Sequence, residues 1–516
     1  MHSFSAGPRS RFRNTLLGGC ASLVVFIATA HALKTPERIL RPNMQVDYVV
    51  DPALVTEPAE WFTEGRLFAR TRLHVFHWEW REEKLSGSGP TRNNAMIAAG
   101  GSLVWKSARW RGLGTTLGVY ASQPLHSDNT DPGVPLANFG KAGKDTYRTR
   151  ADGTEAPLFV LAEACVEWRY SDFSLRAGRQ IIDTILLSSN DTKMVPNTFE
   201  ALRFDWKGLP RTTVTGAFVV RQKLRDHSSF HSLIAYKRLS GNDDSGSHRG
   251  LTPANLARFG RETEPPLFVL VSETKLHPTL RLALECVSLP HTVTTVVADL
   301  AWTRRLASGW TLTPAVRLLQ QYDQGAGAIG GAALSGVFAV DRVFTAADAD
   351  RRKLASYSDP RSLDGRLWAV RVGASRGPFS ATLGSAEVAD RADIFTPWRG
   401  FPTGGYTRIM AQLDWLANTR ASTLRLDWDF GASRRFASLK VSGAVERIDF
   451  DDTKLVAGTL ALTDRSVFTF DCVMTPRELL RTEFKLRVGL GDAEAKPDSR
   501  DFESYREVRL EMNHLF

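Results

Sequence analysis

Ser504-Tyr-Arg-Glu-Val-Arg-Leu-Glu-Met-Asn-His-Leu-Phe516 ends the chain, and its alternation decides the fold. Val508, Leu510, Met512 and His514 share one face of an extended strand, while Glu507, Arg509, Glu511 and Asn513 share the other. Strand side chains point alternately to opposite faces, so this segment has one face for an apolar medium and one for water. The design recurs upstream. In Ser422–Phe430, Leu424, Leu426, Trp428 and Phe430 oppose Arg425, Asp427 and Asp429. In Thr482–Leu490, Phe484, Leu486, Val488 and Leu490 oppose Glu483, Lys485 and Arg487. In Pro157–Tyr170, Leu158, Val160, Ala162, Ala164, Val166 and Trp168 are expected on one face and Glu163, Glu167 and Arg169 on the other. A soluble sandwich accommodates one or two strands this charged. A long series fits an all-β transmembrane antiparallel barrel with a wet interior.

Composition agrees. The 516 residues are 43% hydrophobic and 24% charged with 4 Cys, which excludes disorder, collagen and a disulfide-stapled mini-protein. Beyond residue 32 no run approaches the roughly 18 apolar residues of a membrane-spanning helix. Residues 1–32 read as a secretory signal peptide: Arg9, Arg11 and Arg13 precede the apolar Leu16–Ala30, and Ala30-His31-Ala32 supplies the cleavage site. A lipoprotein signal at Leu17-Gly18-Gly19-Cys20 is the competing reading, but most of the apolar core follows that cysteine. Cleavage after Ala32 would lower the net charge from +10 to +7, because three arginines and no acid leave. Cys165, Cys286 and Cys472 then remain, an odd and widely spaced set in an oxidising compartment, which argues against a disulfide framework.

Residues 33–60, with Pro36, Pro42, Pro52 and Pro58, form an irregular periplasmic lead-in, and 61–516 the barrel. Eighteen alternating segments run from 66–79 to 504–516, joined by connections that are short and long in turn. The long ones are 81–94, 122–156, 181–197, 223–264, 322–363, 389–420, 450–464 and 491–503; only Leu289–Thr292 breaks the pattern. Tight turns on the periplasmic side and long loops outside are the asymmetry of outer-membrane barrels. Residues 229–237 and 406–416 also have strand character and are placed in loops, which leaves sixteen or twenty strands as alternatives.

Several chemical-looking motifs lack their context. Gly325-Ala-Gly327-Ala-Ile-Gly330 spells a dinucleotide fingerprint but sits in a Gly-rich stretch of an exported chain, and is expected to be a flexible loop. His74 and His77, three apart on a strand, face opposite sides and cannot share a metal with Glu79. Ser228 and Ser229 near His227 and His231 have no nucleophile elbow or base–orienter spacing around them. The pI near 9.5 comes from arginines alternating with acids, not from a nucleic-acid-binding patch. The expectation is therefore no enzyme, no catalytic residue, no metal, no cofactor and no nucleic acid.

Polar parity places Arg176, Arg203, Arg281, Arg317, Arg371, Arg425, Arg487 and Arg509 toward the lumen, with Glu163, Glu167, Asp205, Glu285, Asp299, Asp427, Asp471, Glu483 and Glu511. Charge rings and ladders are how pores select solutes. A guanidinium offers a carboxylate a flat bidentate fork. For any one residue, simple hydration of the lumen is the plainer reading.

Residues 178–200 are the most distinctive. Gly178-Arg179-Gln180-Ile-Ile-Asp183-Thr184 is followed by Asn190-Asp191-Thr192-Lys193-Met194-Val195-Pro196-Asn197-Thr198-Phe199-Glu200. The segment resembles the third loop of the OprD family of outer-membrane porins, with its GRQ-like strand end and DTRM-x-PN-x-F-E-like return. Ile185 stands where a Pro is usual, and Lys193 where an Arg is usual. The resemblance, looser over 60–516, implies an 18-stranded barrel in the Gram-negative outer membrane and a third loop folded inward. It also implies passive diffusion of small, often carboxylate-bearing solutes along a basic ladder. Asp183 and Asp191 are suited to bind neighbouring backbone, and Pro196 and Asn197 to stiffen the return. Arg179 at the rim, counted with the pore-lining basic ladder, and Lys193 in the loop are read as gate charges or as loop-holding ion pairs. The terminal Phe516 resembles the signature read by the barrel-insertion machinery. Expected partners are small-molecule solutes and outer-membrane lipid, with the chain a monomer or homotrimer. The alternatives are an exporter of anionic polysaccharide and an adhesin or structural barrel plugged by the loops 223–264 and 322–363.

Overall fold

The computed structural model describes residues 38–516, except 43, 82–91, 129–138, 144–145, 150–154, 190, 226, 235–247, 249, 335–355, 397–404, 410–414, 457–459, 462 and 495–503. The expected signal peptide lies outside the described residues. Two units are distinct. The smaller holds a hairpin, Arg38–Leu40 against Val46–Tyr48, with Arg41 donating to Asp47 at 2.5 Å. The larger comprises residues 43–45 and 52–516.

The larger unit is a closed antiparallel barrel of eighteen wall strands. These are β1 (Arg66–Trp80), β2 (Asn94–Lys106), β3 (Leu113–Ser127), β4 (Leu158–Tyr170), β5 (Phe173–Gln180) and β6 (Thr198–Leu209). Next come β7 (Thr212–Lys223), β8 (Leu267–His277), β9 (Leu280–Leu289), β10 (Val293–Trp302), β11 (Thr311–Asp323) and β12 (Arg366–Arg376). The circuit ends with β13 (Phe379–Val388), β14 (Thr419–Asp429), β15 (Phe436–Asp449), β16 (Arg465–Pro476), β17 (Thr482–Ala493) and β18 (Tyr505–Leu515). Each wall strand pairs with its sequence neighbours. β18 closes on β1 from Tyr505↔Trp80 to Leu515↔Arg70, and the Phe516 N–H donates to Ala69 O. Eighteen is thus the count, and the described parts of 229–237 and 406–416 lie in loops.

The outward face is apolar and exposed, as in Phe159, Leu270, Leu383 and Leu424. Aromatics such as Trp168, Tyr170, Trp206, Trp302, Trp428 and Phe430 gather toward the short-turn end. Tight turns use left-handed non-glycine residues at Arg111, Ser171 and Arg211 (φ 52°, 50° and 58°). One expected face is corrected. A bulge between Leu161 and Glu163 on β4 changes the phase, so Leu158 and Val160 are buried on the inner side with Glu163 and Glu167. Phe159, Leu161, Val166 and Trp168 face outward. A bulge sets two residues opposite one and exchanges the faces beyond it.

The main apolar core sits largely among the long loops. Ile182, Leu186, Leu233, Leu256, Ile329, Leu363, Ile394 and Phe395 are buried in it with inward residues of the wall. The Gly325–Gly330 motif joins this core as a short helix, Ala326–Gly330, rather than as the expected flexible loop. Its ligand-like N–H groups are occupied: the Asp323 carboxylate accepts from Gly325 N at 2.8 Å and Gly327 N at 3.1 Å.

Candidate functional site: a loop across the lumen

Residues 181–197 connect β5 to β6 and turn inward. At the start of the loop, Gly178 has φ 115°, and a Cβ there would meet Ala164 O at 2.3 Å, so only glycine fits. The loop is fixed on two opposing parts of the wall. On β9, the Glu285 carboxylate accepts from Thr184 Oγ1 at 2.7 Å, Ile185 N at 2.8 Å and Leu186 N at 3.2 Å. Proline at 185 would lack one of those donors, so Ile185 supplies a main-chain hydrogen bond that the usual residue of the resemblance could not. On β1, Asp191 is buried between Arg70 and Arg72. Arg70 Nη2 donates to its carboxylate, and Arg72 Nη1 donates at 2.9 Å to both the carboxylate and the carbonyl. Within the loop Ser189 Oγ donates to Asn197 O at 2.6 Å, and Lys223 Nζ on β7 donates to Pro196 O at 2.8 Å.

The sequence-selected residues separate into groups. Asp183 is exposed on the loop and lines a cavity of about 1020 Å³ with Arg176, Arg203 and Arg317. Asp191, Pro196 and Asn197 are buried, so they hold the loop rather than face the passage. Lys193 is buried as well, its Nζ 5.0 Å from the centre of the Phe76 ring. Arg179 does not join the ladder. It lies three residues after Arg176 on β5 and therefore faces the other way, where it pairs with Glu200 at 3.0 Å and covers Phe230.

The remaining ladder arginines face inward and are mostly paired. Arg176 meets Glu167 at 2.7 Å, Arg203 meets Asp205 at 2.7 Å, and Arg425 meets Asp427 at 2.8 Å. Arg487 meets Asp471 at 2.6 Å, Arg509 meets Glu507 at 2.9 Å, and Arg281 meets Glu273 at 3.6 Å. Arg317 shares Asp299 with Arg281, at 2.7 and 3.6 Å. Among the described residues Arg371 has no carboxylate in ion-pair range. Instead Tyr406, from the loop after β13, lies between two guanidiniums, 4.5 Å from Arg317 and 4.6 Å from Arg371, and donates to Asp299 at 2.5 Å. Sequence reading missed Arg70, Arg72 and Tyr406. The first two carry a legible signal, since they share a parity with His74, Phe76 and Trp78.

No protein family and no curated protein matches the chain by sequence. Solved structures do match it. Pseudomonas aeruginosa OpdK, solved with vanillate, has a TM-score of 0.62 at 15% identity, covering 88% of this chain and 99% of its own. Pseudomonas aeruginosa OccK9 (OpdG) gives 0.63 at 16%, with 88% and 99% covered, and Acinetobacter baumannii OccAB3 gives 0.65 at 14%, with 87% and 99%. The fold is that of the OprD-type porins. A closed barrel with an apolar outward band and aromatics gathered toward its short-turn end has the surface of an outer-membrane barrel.

Proposed function

We propose that this chain is a substrate-selective channel that lets small polar or carboxylate-bearing solutes diffuse passively across the outer membrane. The observation that carries the reading is the loop 181–197, held across the lumen between Glu285 and the Arg70–Arg72 pair, with a charged cavity beneath it. Arginines distributed around an inner wall offer an anion successive bidentate sites, and the paired acids keep their side chains extended and ready. Arg371, lacking a carboxylate among the described residues, is the strongest anchor for a solute carboxylate. The reading needs no cofactor and no catalytic group. The inward loop favours a small-solute channel over a polysaccharide exporter, which calls for a wide, strongly one-signed lumen. A plugged surface barrel has one observation in its favour, the apolar core that the long loops build together.

Single-channel current in a planar bilayer tests the choice. Small discrete steps, blocked by millimolar benzoate or acetate and enlarged by deletion of 181–197, support the channel. Silence from a correctly folded barrel overturns it in favour of the plugged form.

A further inference from the structure

The turns at one end of the barrel carry a charge that the channel does not use. Eight exposed arginines stand on them against two exposed acids, Asp172 and Glu478. That excess of six nearly equals the whole net charge of residues 33–516, so the rest of the chain is close to neutral. Arg111, Arg211, Arg304, Arg434, Arg477 and Arg481 place it on five of the eight turns, spread around the circumference rather than gathered in one patch. Just inside this rim lie the outward-facing aromatics Trp302 and Trp428, 42% and 45% exposed. One rim guanidinium lies against an aromatic of this level, with Arg304 Cζ 5.7 Å from the ring centre of Trp302, and Arg111 Cζ is 5.1 Å from that of Trp110 on the turn itself.

From this arrangement we infer that the short-turn rim binds the headgroups of anionic phospholipids in the leaflet around it. Tryptophan sits where acyl chains give way to headgroups. A guanidinium beside that level meets the lipid phosphate, which it grips through two parallel N–H···O bonds. A soluble acidic partner would need a local patch facing along the barrel axis, whereas a ring beside an aromatic girdle matches a surrounding membrane. The inference shares only the membrane-spanning fold with the channel proposal, so it stands or falls without any conductance.

The test uses the full mature barrel in vesicles of phosphatidylethanolamine alone or with 20% phosphatidylglycerol. Tryptophan quenching by brominated lipids of each headgroup reads which lipid occupies the annulus. Enrichment of the brominated anionic lipid of threefold or more is expected, falling toward one in 0.5 M salt and in the R304Q/R305Q/R434Q/R435Q variant. R420Q, at the opposite end, should keep the enrichment. Equal quenching by both lipids overturns the inference, as does enrichment that survives in the quadruple variant. Binding of soluble polyglutamate to the rim without lipid enrichment overturns it too. Should the quadruple variant misfold, the R304Q/R305Q pair alone must still lower the enrichment.

Discussion

Asp191 shows how much of the constriction rests on one carboxylate. It is 2% exposed, and two buried guanidiniums from β1 converge on it. Removing one partner of a buried ion pair strands the other charge and costs about 3–5 kcal/mol. Arg70 would keep the Met44 carbonyl at 2.6 Å, and Arg72 would keep Glu511 at 3.5 Å, so Asp191→Asn should sit at the low end of that range. The expected result is a barrel that still forms but whose 181–197 loop becomes protease-sensitive; a loop as resistant as in the parent would reject the anchoring role. Tyr406 gives the complementary case. Its ring covers Arg317 and Arg371, and each such contact is worth roughly 0.5–2 kcal/mol. Tyr406→Ala should therefore widen the conductance step and tighten block by benzoate several-fold, read as the concentration for half-block. Neither set of contacts is legible in the chain. Asp191 and Arg72 are separated by 119 positions, and no local pattern records a partnership at that distance.

At the scale of elements, the wall was readable and the loops were not, for one physical reason. A wall strand meets lipid on one side and water on the other, so its sequence tends to alternate, as β14, β17 and β18 do. Alternation fails to report a bulge, which is why the inner and outer residues of β4 exchange at Leu161–Glu163. A loop that packs inward buries apolar residues without any period. Residues 229–237 and 406–416 accordingly look like strands, and the helix Ala326–Gly330 looks like a loose glycine run. The motif places the 181–197 element, while parity marks its anchor Glu285 only as one inward acid among many. That anchor takes one hydroxyl and two main-chain donors. Glu285→Ala should release the first half of the loop, roughly 1.5–3 kcal/mol for each charged hydrogen bond lost. Single-channel records should then show added open-state noise with the barrel's heat stability unchanged. Quiet records at the parent conductance would mean that the apolar contacts of Ile182, Leu186 and Leu187 hold the loop without Glu285.

For the molecule as a whole, the long loops act as a second folded layer whose stability depends on pH. Asp393, fully buried in the loop after β13, accepts from Leu334 N and Ala417 N, both at 2.9 Å, and from Tyr357 OH at 3.2 Å. It thereby ties the loop after β11 to both arms of its own loop. Burial pushes its carboxyl up to about 6, although those donors and Lys454 pull it down. A folded value above the unfolded one means that folding favours the protonated form. Its contribution is complete below about pH 4 and is lost as pH rises through 6, on the order of 3 kcal/mol in full. His231 and His248 act in the opposite direction. Burial lowers each to about 4, so their contribution is present above pH 6.5 and is lost as pH falls toward 4. Total loop stability therefore mixes opposing signs, and the informative quantity is the difference between the parent and Asp393→Asn, in which the histidine contributions cancel. Amide exchange at Leu334 and Ala417, corrected for the intrinsic rate, measures it. Protection in the parent should gain on the variant as pH falls from 7 to 5, and the same change should slow any loop-driven closures of the channel. Parallel pH curves in the two proteins would take Asp393 out of the coupling and leave the loop layer to its apolar core alone.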